Sequence, residues 1–382
     1  MENKKYLVVG AGFSGAVISR KLAEKGFNVI CIDKRNHIAG NCHTERHKLT
    51  NIMVHKYGPH IFNTNNKDVW DFVNSYGELM PYKNKVIANT ERGVFSLPMN
   101  LLTINQFFKV KLKPNEVEGF LKSKIVDIKE PKNFEEQALS MLGNELYYNF
   151  FHGYTKKQWG CDPKELPASI LKRLPVRFNY NDNYYNSKYQ GIPKDGYTAM
   201  VGNILNHDNI QLELEKEYTR SMNQDFDHVF YTGPIDGYFD NKYGRLGYRT
   251  VYFKEESFKG DYQGNAVINY CEENVKYTRV HEHKHFAPWE NHDDTVVLKE
   301  FSKETEQNDD PYYPKRLPAD LKLLRLYKNE IDNSNSNVSF VGRLATYRYL
   351  DMDKVIEEAL EYANYFIECI DSQKRVDKLF SK

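Results

Sequence analysis

Residues Lys5–Asp33 read KYLVVGAGFSGAVISRKLAEKGFNVICID. Lys5 to Val9 is a short β-rich run, Gly10-Ala11-Gly12-Phe13-Ser14-Gly15 is a glycine turn, and Val17, Ile18 and Leu22 then recur at helical spacing. A second apolar run, Asn28 to Ile32, ends at Asp33. Strand, glycine turn, helix, strand is the start of a doubly wound sheet. The G-x-G-x-x-G spacing has a physical reason: Gly10 allows a tight turn, Gly12 lets backbone approach a pyrophosphate, and Gly15 lets helix pack on strand. The helix N-terminus, with Phe13 and Ser14, then faces the phosphates. Three glycines in six residues could make only a turn. The flanking elements, and Asp33 where a carboxylate would meet a ribose hydroxyl, point instead to a bound dinucleotide.

Outward from this motif, Lys34-Arg35-Asn36-His37-Ile38-Ala39-Gly40-Asn41 is a second turn rich in cations and small residues. It is either an exposed basic loop or a lining for the ADP and flavin of the same ligand, with Lys34 and Asn41 as contacts. Near the other end, strand Val338 to Val341, Gly342-Arg343 and a helix from Asp353 with Val355, Ala359, Tyr362, Ala363 and Phe366 on one stripe echo the beginning. Their helix N-terminus would add a second positive end, suited to the pyrimidine side of a flavin. FAD is therefore favoured over NAD. The expected fold is α/β: a Rossmann-type FAD-binding domain assembled from discontinuous segments (1–80, 190–245 and 320–382), an inserted helical domain (100–189) and an antiparallel β-sheet domain (81–99 and 246–319). Within these, the sequence predicts a helix over 68–76, a hairpin over 86–97 and helices over 100–175, the clearest of them Phe134 to Phe151. It also predicts a long loop from Asn179 to Tyr197, a strand His228 to Tyr231, sheet from Tyr248 to Val297, and an exposed connection from Ser302 to Asp310.

The chain has 382 residues, enough for two or three domains of roughly 150 residues each. Lys plus Arg, 53, balance Asp plus Glu, 52, so no overall field exists to hold nucleic acid. No apolar run approaches the length of about 18 residues that spans a bilayer, so membrane insertion is not expected. The N-terminus lacks a signal-peptide core, which predicts a cytoplasmic protein. Five scattered cysteines without a C-x-x-C pair indicate reduced thiols. The 28 Tyr, partly in polar surroundings, suit a planar, hydrogen-bonding ligand. His281, His283 and His285 alternate as metal ligands on a strand would, but Glu282 and Lys284 would then point the other way, and no metal is expected.

The blocks His55 to Phe62, Gly153 to Gly160, Leu171 to Arg177, Tyr189 to Pro193, Tyr277 to Phe286, Pro311 to Pro314 and Gly342 to Leu344 follow one another along the whole chain. With them the chain resembles the bacterial UDP-galactopyranose mutase family from end to end. The resemblance implies a non-redox isomerase, active with reduced FAD, that interconverts UDP-galactopyranose and UDP-galactofuranose through a covalent flavin N5-sugar adduct, as a homodimer. It further implies that Trp159 stacks on uracil and that Arg173 and Arg279 clamp the diphosphate. Tyr154, Tyr184, Tyr313 and Tyr349 would donate hydroxyls around it. By the same resemblance His60, with Ile61 beside it, approaches the flavin near N5, and Arg343 lies close to the isoalloxazine. Asn84 and Asn269 are candidates for sugar or flavin contact, and Asp351 and Met352 sit ahead of the last helix on the cofactor. Without the resemblance, a tryptophan is more often core and a lone arginine more often a solvated face. No glycosidase-like carboxylate pair is apparent. Three positions depart from the family pattern: Ala39 for a glycine, Asn63 for a histidine and Thr346 for a glutamate. Three alternatives stay open: a flavin-dependent oxidoreductase of the amine oxidase type, a mutase for a related UDP-sugar such as UDP-N-acetylgalactosamine, and a nucleotide-binding sensor.

Overall fold

A computed structural model describes residues 4–173, 176–334 and 336–378, with the side chains of 172 and 173 outside that description. Its centre is a parallel sheet whose strands run in the order Ile210–Glu213, Asn28–Ile32, Lys5–Val9, His228–Tyr231, Val338–Phe340. The fold is α/β, with strands of one sheet drawn from three separate stretches of chain. On one face the glycine-turn helix Phe13–Glu24, helix Gly196–Leu205 and the last helix Met352–Asp371 close a core. Phe366 meets Tyr6 and Phe230 at ring distances of 5.5 and 4.8 Å. Burial of each such side chain contributes about 1.5–3 kcal/mol. Helix Pro318–Asn333 covers the other face through Leu324, Tyr327 and Ile331.

A second sheet has seven strands in the order Tyr313–Pro314, Tyr248–Lys259, Asp294–Glu304, Arg279–Glu282, Val267–Tyr270, Val86–Thr90, Gly93–Leu97. The sheet is antiparallel, as expected, except for one pair: Val267–Tyr270 pairs parallel with Val86–Thr90. That pair joins strands from distant stretches of chain, so no hairpin turn dictates their direction.

The helical part, expected to contain one helix from Phe134 to Phe151, is broken twice. Helix Phe134–Leu146 kinks at Gly143, φ 75°, where a Cβ would lie 2.1 Å from the Lys124 carbonyl oxygen. A π-helical turn, Tyr147–His152, then leads into helix Gly153–Trp159. The expected long loop over 179–197 also contains regular structure. Tyr189–Pro193 is the central strand of a sheet with Phe62–Thr64 and Leu79–Pro81, and helix Gly196–Leu205 follows. Gln, Gly and Pro hide this strand from a periodicity reading. It is held by Trp70 stacked on Tyr189 at 5.4 Å and by the close approach of Gly191 to the Met80 carbonyl. Among the described residues no helix is long and apolar enough to cross a membrane.

Candidate active site

A cavity of about 1420 Å³ opens between the carboxyl ends of the parallel strands and the second sheet. That exceeds the range of about 300–1,000 Å³ typical of a single small-ligand pocket, leaving room for a dinucleotide and a second ligand.

One end is built on the glycine turn. Gly10, Gly12, Phe13 and Ser14 line the cavity, and the helix that starts at Phe13 has no side-chain cap. Its first N–H groups therefore face the cavity as an anion site. Gly10 has φ +107°, and a Cβ on it would lie 2.1 Å from Thr232 Oγ1. Gly15 does not reach the cavity. It lies beneath the turn, where a Cβ would sit 1.8 Å from the Gly10 carbonyl oxygen, so its role is the close packing assigned to the third glycine. Asp33 lines the cavity, and its two carboxylate oxygens accept the Ala11 and Arg35 N–H at 2.8 and 2.9 Å. It thus ties the glycine turn to the loop that follows. Lys34 and Asn41 line the same end; the Asn41 amide oxygen accepts from Arg35, whose guanidinium is paired with Asp310 and lies over the Tyr57 ring. Ala39 has the left-handed conformation that favours glycine, at φ 72°, and Gly40 beside it has φ 52°.

At the middle of the cavity stand His60, Ile61, Arg343, Asp351 and Met352. Gly342, at the end of strand Val338–Phe340, has φ +91° and no room for a Cβ, which would lie 2.4 Å from Ser14 Oγ. The two chain ends therefore meet here. Arg343 spreads over the rings of Tyr349 and Tyr313, at 4.6 and 5.2 Å, and donates to the Tyr312 carbonyl at 2.7 Å; its buried Nε has no partner among the described residues. His60 Nδ1 bonds the Gly58 carbonyl at 2.8 Å. A carbonyl only accepts, so the proton sits on Nδ1 and Nε2 keeps its lone pair. Burial in the cavity wall, seconded by the charges of Arg343 and Arg279, pushes His60 down to about 4 despite that bond. The uncapped N-terminus of the helix beginning at Met352 also opens on the cavity.

The far end carries Asn84, Tyr154, Tyr184, Asn269, Arg279, Tyr313 and Tyr349. Tyr313 and Tyr349 stack at 5.9 Å. Burial raises the Tyr154 and Tyr184 phenols and pushes Tyr313 up to about 12, so these hydroxyls stay protonated donors. The amide oxygens of Asn84 and Asn269 are buried without a partner among the described residues, acceptors suited to ligand hydroxyls. Arg279 donates from Nε and Nη2 to the Glu300 carboxylate at 2.7–3.0 Å. Thr278 Oγ1 and His281 Nε2 complete the carboxylate's shell at 3.1 and 3.0 Å. Burial alone would raise the Glu300 carboxyl; the Arg279 charge and the His281 hydrogen bond override it and hold it at about 2. Arg279 Nη1 has no protein partner among the described residues.

One expected contact is not brought to the cavity, and a second lies outside the described side chains. Trp159, at the end of its helix, is half-buried against a cluster of Phe134, Leu166 and Leu171. The backbone of Arg173 ends a 3-10 segment, Ala168–Arg173, but its side chain lies outside the described residues. The histidine alternation also fails, because the strand stops at Glu282 and His283–Phe286 is a 3-10 turn. Glu282 does not point away as expected: it joins Asp261 and His285 in one cluster. Its carboxylate is already filled by the N–H groups of Tyr262, Gln263 and Gly264, and the Lys284 ammonium sits 2.6 Å from Asp261.

Sequence reasoning missed Glu300, Tyr57, Tyr185 and the wall formed by residues 216–220 and 231–240. Glu300 had one signal, a carboxylate two residues past the apolar run Val296-Val297-Leu298 and in alternation with Val296 and Leu298, legible only once its register opposite Arg279 is known.

A family model described as UDP-galactopyranose mutase matches residues 149–349, the stretch that holds Tyr154, Tyr184, Asn269, Arg279, Tyr313 and Tyr349. The chain belongs to the UDP-galactopyranose mutase family. A second model, an NAD(P)-binding Rossmann-like domain, matches residues 8–76, the glycine turn and its flanks. Among mutases of known sequence, the chain is 53% identical to a probable UDP-galactopyranose mutase of Klebsiella pneumoniae over 98% of both chains. It is 51% identical to a dTDP-fucopyranose mutase of Escherichia coli, over 95% of this chain and 98% of that one. The crystal structure of reduced UDP-galactopyranose mutase has the same fold, with a TM-score of 0.74 over the full length of both chains at 13% identity. The chain is thus an enzyme of the mutase family with a Rossmann-type nucleotide-binding domain.

Proposed function

We propose that the protein interconverts UDP-galactopyranose and UDP-galactofuranose with no net redox change. FAD fits the cavity: a glycine cradle and one uncapped helix N-terminus stand at one end, a second uncapped N-terminus opens at the middle, and buried polar atoms of Arg343 and the two asparagines have no partner among the described residues. When bound in reduced form, FAD supplies a nucleophilic N5 for the anomeric carbon. The residues of the chain then have separate tasks. Gly10 to Gly15 and Asp33 hold the ADP half, with Lys34 and Asn41 at its edge. Arg343, Asp351 and Met352 frame the isoalloxazine. His60 presents a neutral Nε2 acceptor toward it and cannot serve as a cationic acid near neutral pH.

The observation that carries this reading is the Arg279 edge. Its Nε and Nη2 are engaged by Glu300, while Arg279 and Tyr154, Tyr184, Tyr313 and Tyr349 all line the same cavity, and the phenols of Tyr154, Tyr184 and Tyr313 lie near enough to feel the Arg279 charge. Such a donor set suits a diphosphate that must gain charge as it leaves the sugar, because preorganised donors stabilise developing anion without reorganising. Arg173 joins it as the second cation and Trp159 stacks on uracil when the segment between them moves inward. Asn84 and Asn269 accept from sugar hydroxyls. We place the enzyme in the cytosol as a homodimer, on the resemblance alone.

Dithionite-reduced protein incubated with UDP-galactofuranose should yield UDP-galactopyranose on chromatography, with flavin absorbance unchanged over many turnovers. Consumption of reducing equivalents in step with product would favour the oxidoreductase reading instead. The 51% identity to a dTDP-fucopyranose mutase supports a second reading, a mutase for dTDP-fucose. The same assay run with dTDP-fucopyranose separates the two by their kcat/KM.

A further inference from the structure

Helix Gly153–Trp159 lies flush against residues 271–278, which connect strand Val267–Tyr270 to strand Arg279–Glu282. Gly153 has ordinary helical backbone, φ −65°, so no turn demands a glycine there. The demand is space: a Cβ would lie 2.4 Å from the Cys271 carbonyl oxygen and 3.0 Å from the Glu273 nitrogen. One turn further along the helix, the Lys157 ammonium enters the connection. It donates to the carbonyls of Tyr270, Val275 and Tyr277 at 2.8, 2.9 and 3.0 Å. Three acceptors use all three hydrogens of an ammonium, and they lie on both arms of the connection. Outside this contact Glu273 takes His152 at 3.0 Å and Lys156 at 2.9 Å. Arg249 and Ser302 hold the far end of the helix by donating to the Gln158 carbonyl at 3.0 and 2.7 Å.

Cavity residues stand within two positions of the Tyr270 and Tyr277 anchors and one turn from the lysine. Asn269 precedes Tyr270, Arg279 is two residues beyond Tyr277, and Tyr154 is one turn before Lys157 on the helix. Lys157 itself does not line the cavity. We propose that Lys157 is a positioning residue whose ammonium locks the helix carrying Tyr154 to the strand arms carrying Asn269 and Arg279, so that phenol, amide and guanidinium meet the substrate in one frame. This rests on the substrate role given above to Tyr154 and Arg279. Without the ammonium three carbonyls lose their donor at once, and the arms are free to part from the helix.

Lys157→Met keeps the length and the apolar stem and removes the donors. In the flavin-loaded enzyme the amides of 271–278 should exchange hydrogen about tenfold faster or more, while those of strand Lys5–Val9 keep wild-type protection and flavin content is unchanged. UDP affinity should fall by about tenfold in the same protein. Lys157→Arg, which keeps the charge, should lie between the two in both readouts, and it carries the test alone if the Met variant does not fold. Wild-type exchange in whichever variant folds overturns the proposal. Faster exchange with unchanged UDP affinity also overturns it, because Lys157 would then serve stability only. A wild-type enzyme that itself binds no UDP is a separate result, and it removes the substrate reading of the cavity.

Discussion

The Glu300 carboxylate and the Arg279 guanidinium face each other across neighbouring strands, in register, with Nε and Nη2 both donating at 2.7–3.0 Å. Glu300 is fully buried and Arg279 only partly. The carboxylate thus turns one edge of the guanidinium inward and leaves the other for the cavity. Arg279→Ala should lower turnover by about a hundredfold or more, the cost of removing a preorganised donor from a developing anion. Steady-state rates with reduced enzyme check this, and near wild-type turnover would contradict the assignment. Glu300→Ala strands the arginine charge instead, and should cost about 3–5 kcal/mol of stability in a denaturant titration.

The same pair gives a pH dependence of stability. Glu300 is held at about 2, below an unfolded value of about 4.3 for a glutamate. Its contribution is therefore complete above pH ~4.3 and is lost as pH falls through the folded value. Wild-type urea midpoints should drop on going from pH 5 to pH 3 by more than those of Glu300→Gln, which has no proton to take up there. Equal drops would contradict the pairing.

His60, pushed down to about 4, is neutral across the physiological range. Between pH 5 and 7 its titration should leave no limb in kcat/KM, and profiles of wild type and His60→Asn should run parallel there whatever their heights. A limb near the ordinary histidine value that disappears in the variant would show a protonatable His60.

Gly15→Ala should disable the cofactor end. The new methyl would sit 1.8 Å from the Gly10 carbonyl oxygen, a backbone atom with no freedom to step aside. Overpacking of this kind costs about 1–3 kcal/mol, and the displaced turn would no longer meet the pyrophosphate. The variant should purify with little flavin colour. Full flavin occupancy at wild-type stability would place the phosphates elsewhere.

Trp159 is packed against Leu166 and Leu171 away from the cavity, so stacking on uracil requires the segment after it to shift. UDP should change tryptophan emission and the proteolysis of the stretch around Arg173, and Trp159→Phe should lose most of the emission change. No response to saturating UDP would remove both residues from the substrate site.

Much of this was legible in the chain. The glycine turn, its two strands and the closing strand near Val338 announce themselves through local sterics and short-range periodicity, which need no partner to be read. Tyr189–Pro193 did not: its Gln, Gly and Pro look like loop, and only Trp70, Met80 and two flanking strands make it the middle of a sheet. Strand Ile210–Glu213 was missed for a similar reason, being short, polar and at the sheet edge.

The site divides in the same way. Residue types and their spacing determined the dinucleotide cradle, because a glycine at φ +107° or a carboxylate at a strand end is a local requirement. The order of the motif blocks determined the family. Only the tertiary structure decided that Glu300 aims Arg279, that Lys157 reaches three carbonyls in a distant connection, that Asp33 braces the turn as well as lining the cavity, and that Trp159 packs elsewhere. Those facts depend on strand register and on contacts between residues tens to hundreds of positions apart, and neither periodicity nor local conformational preference carries information over that distance.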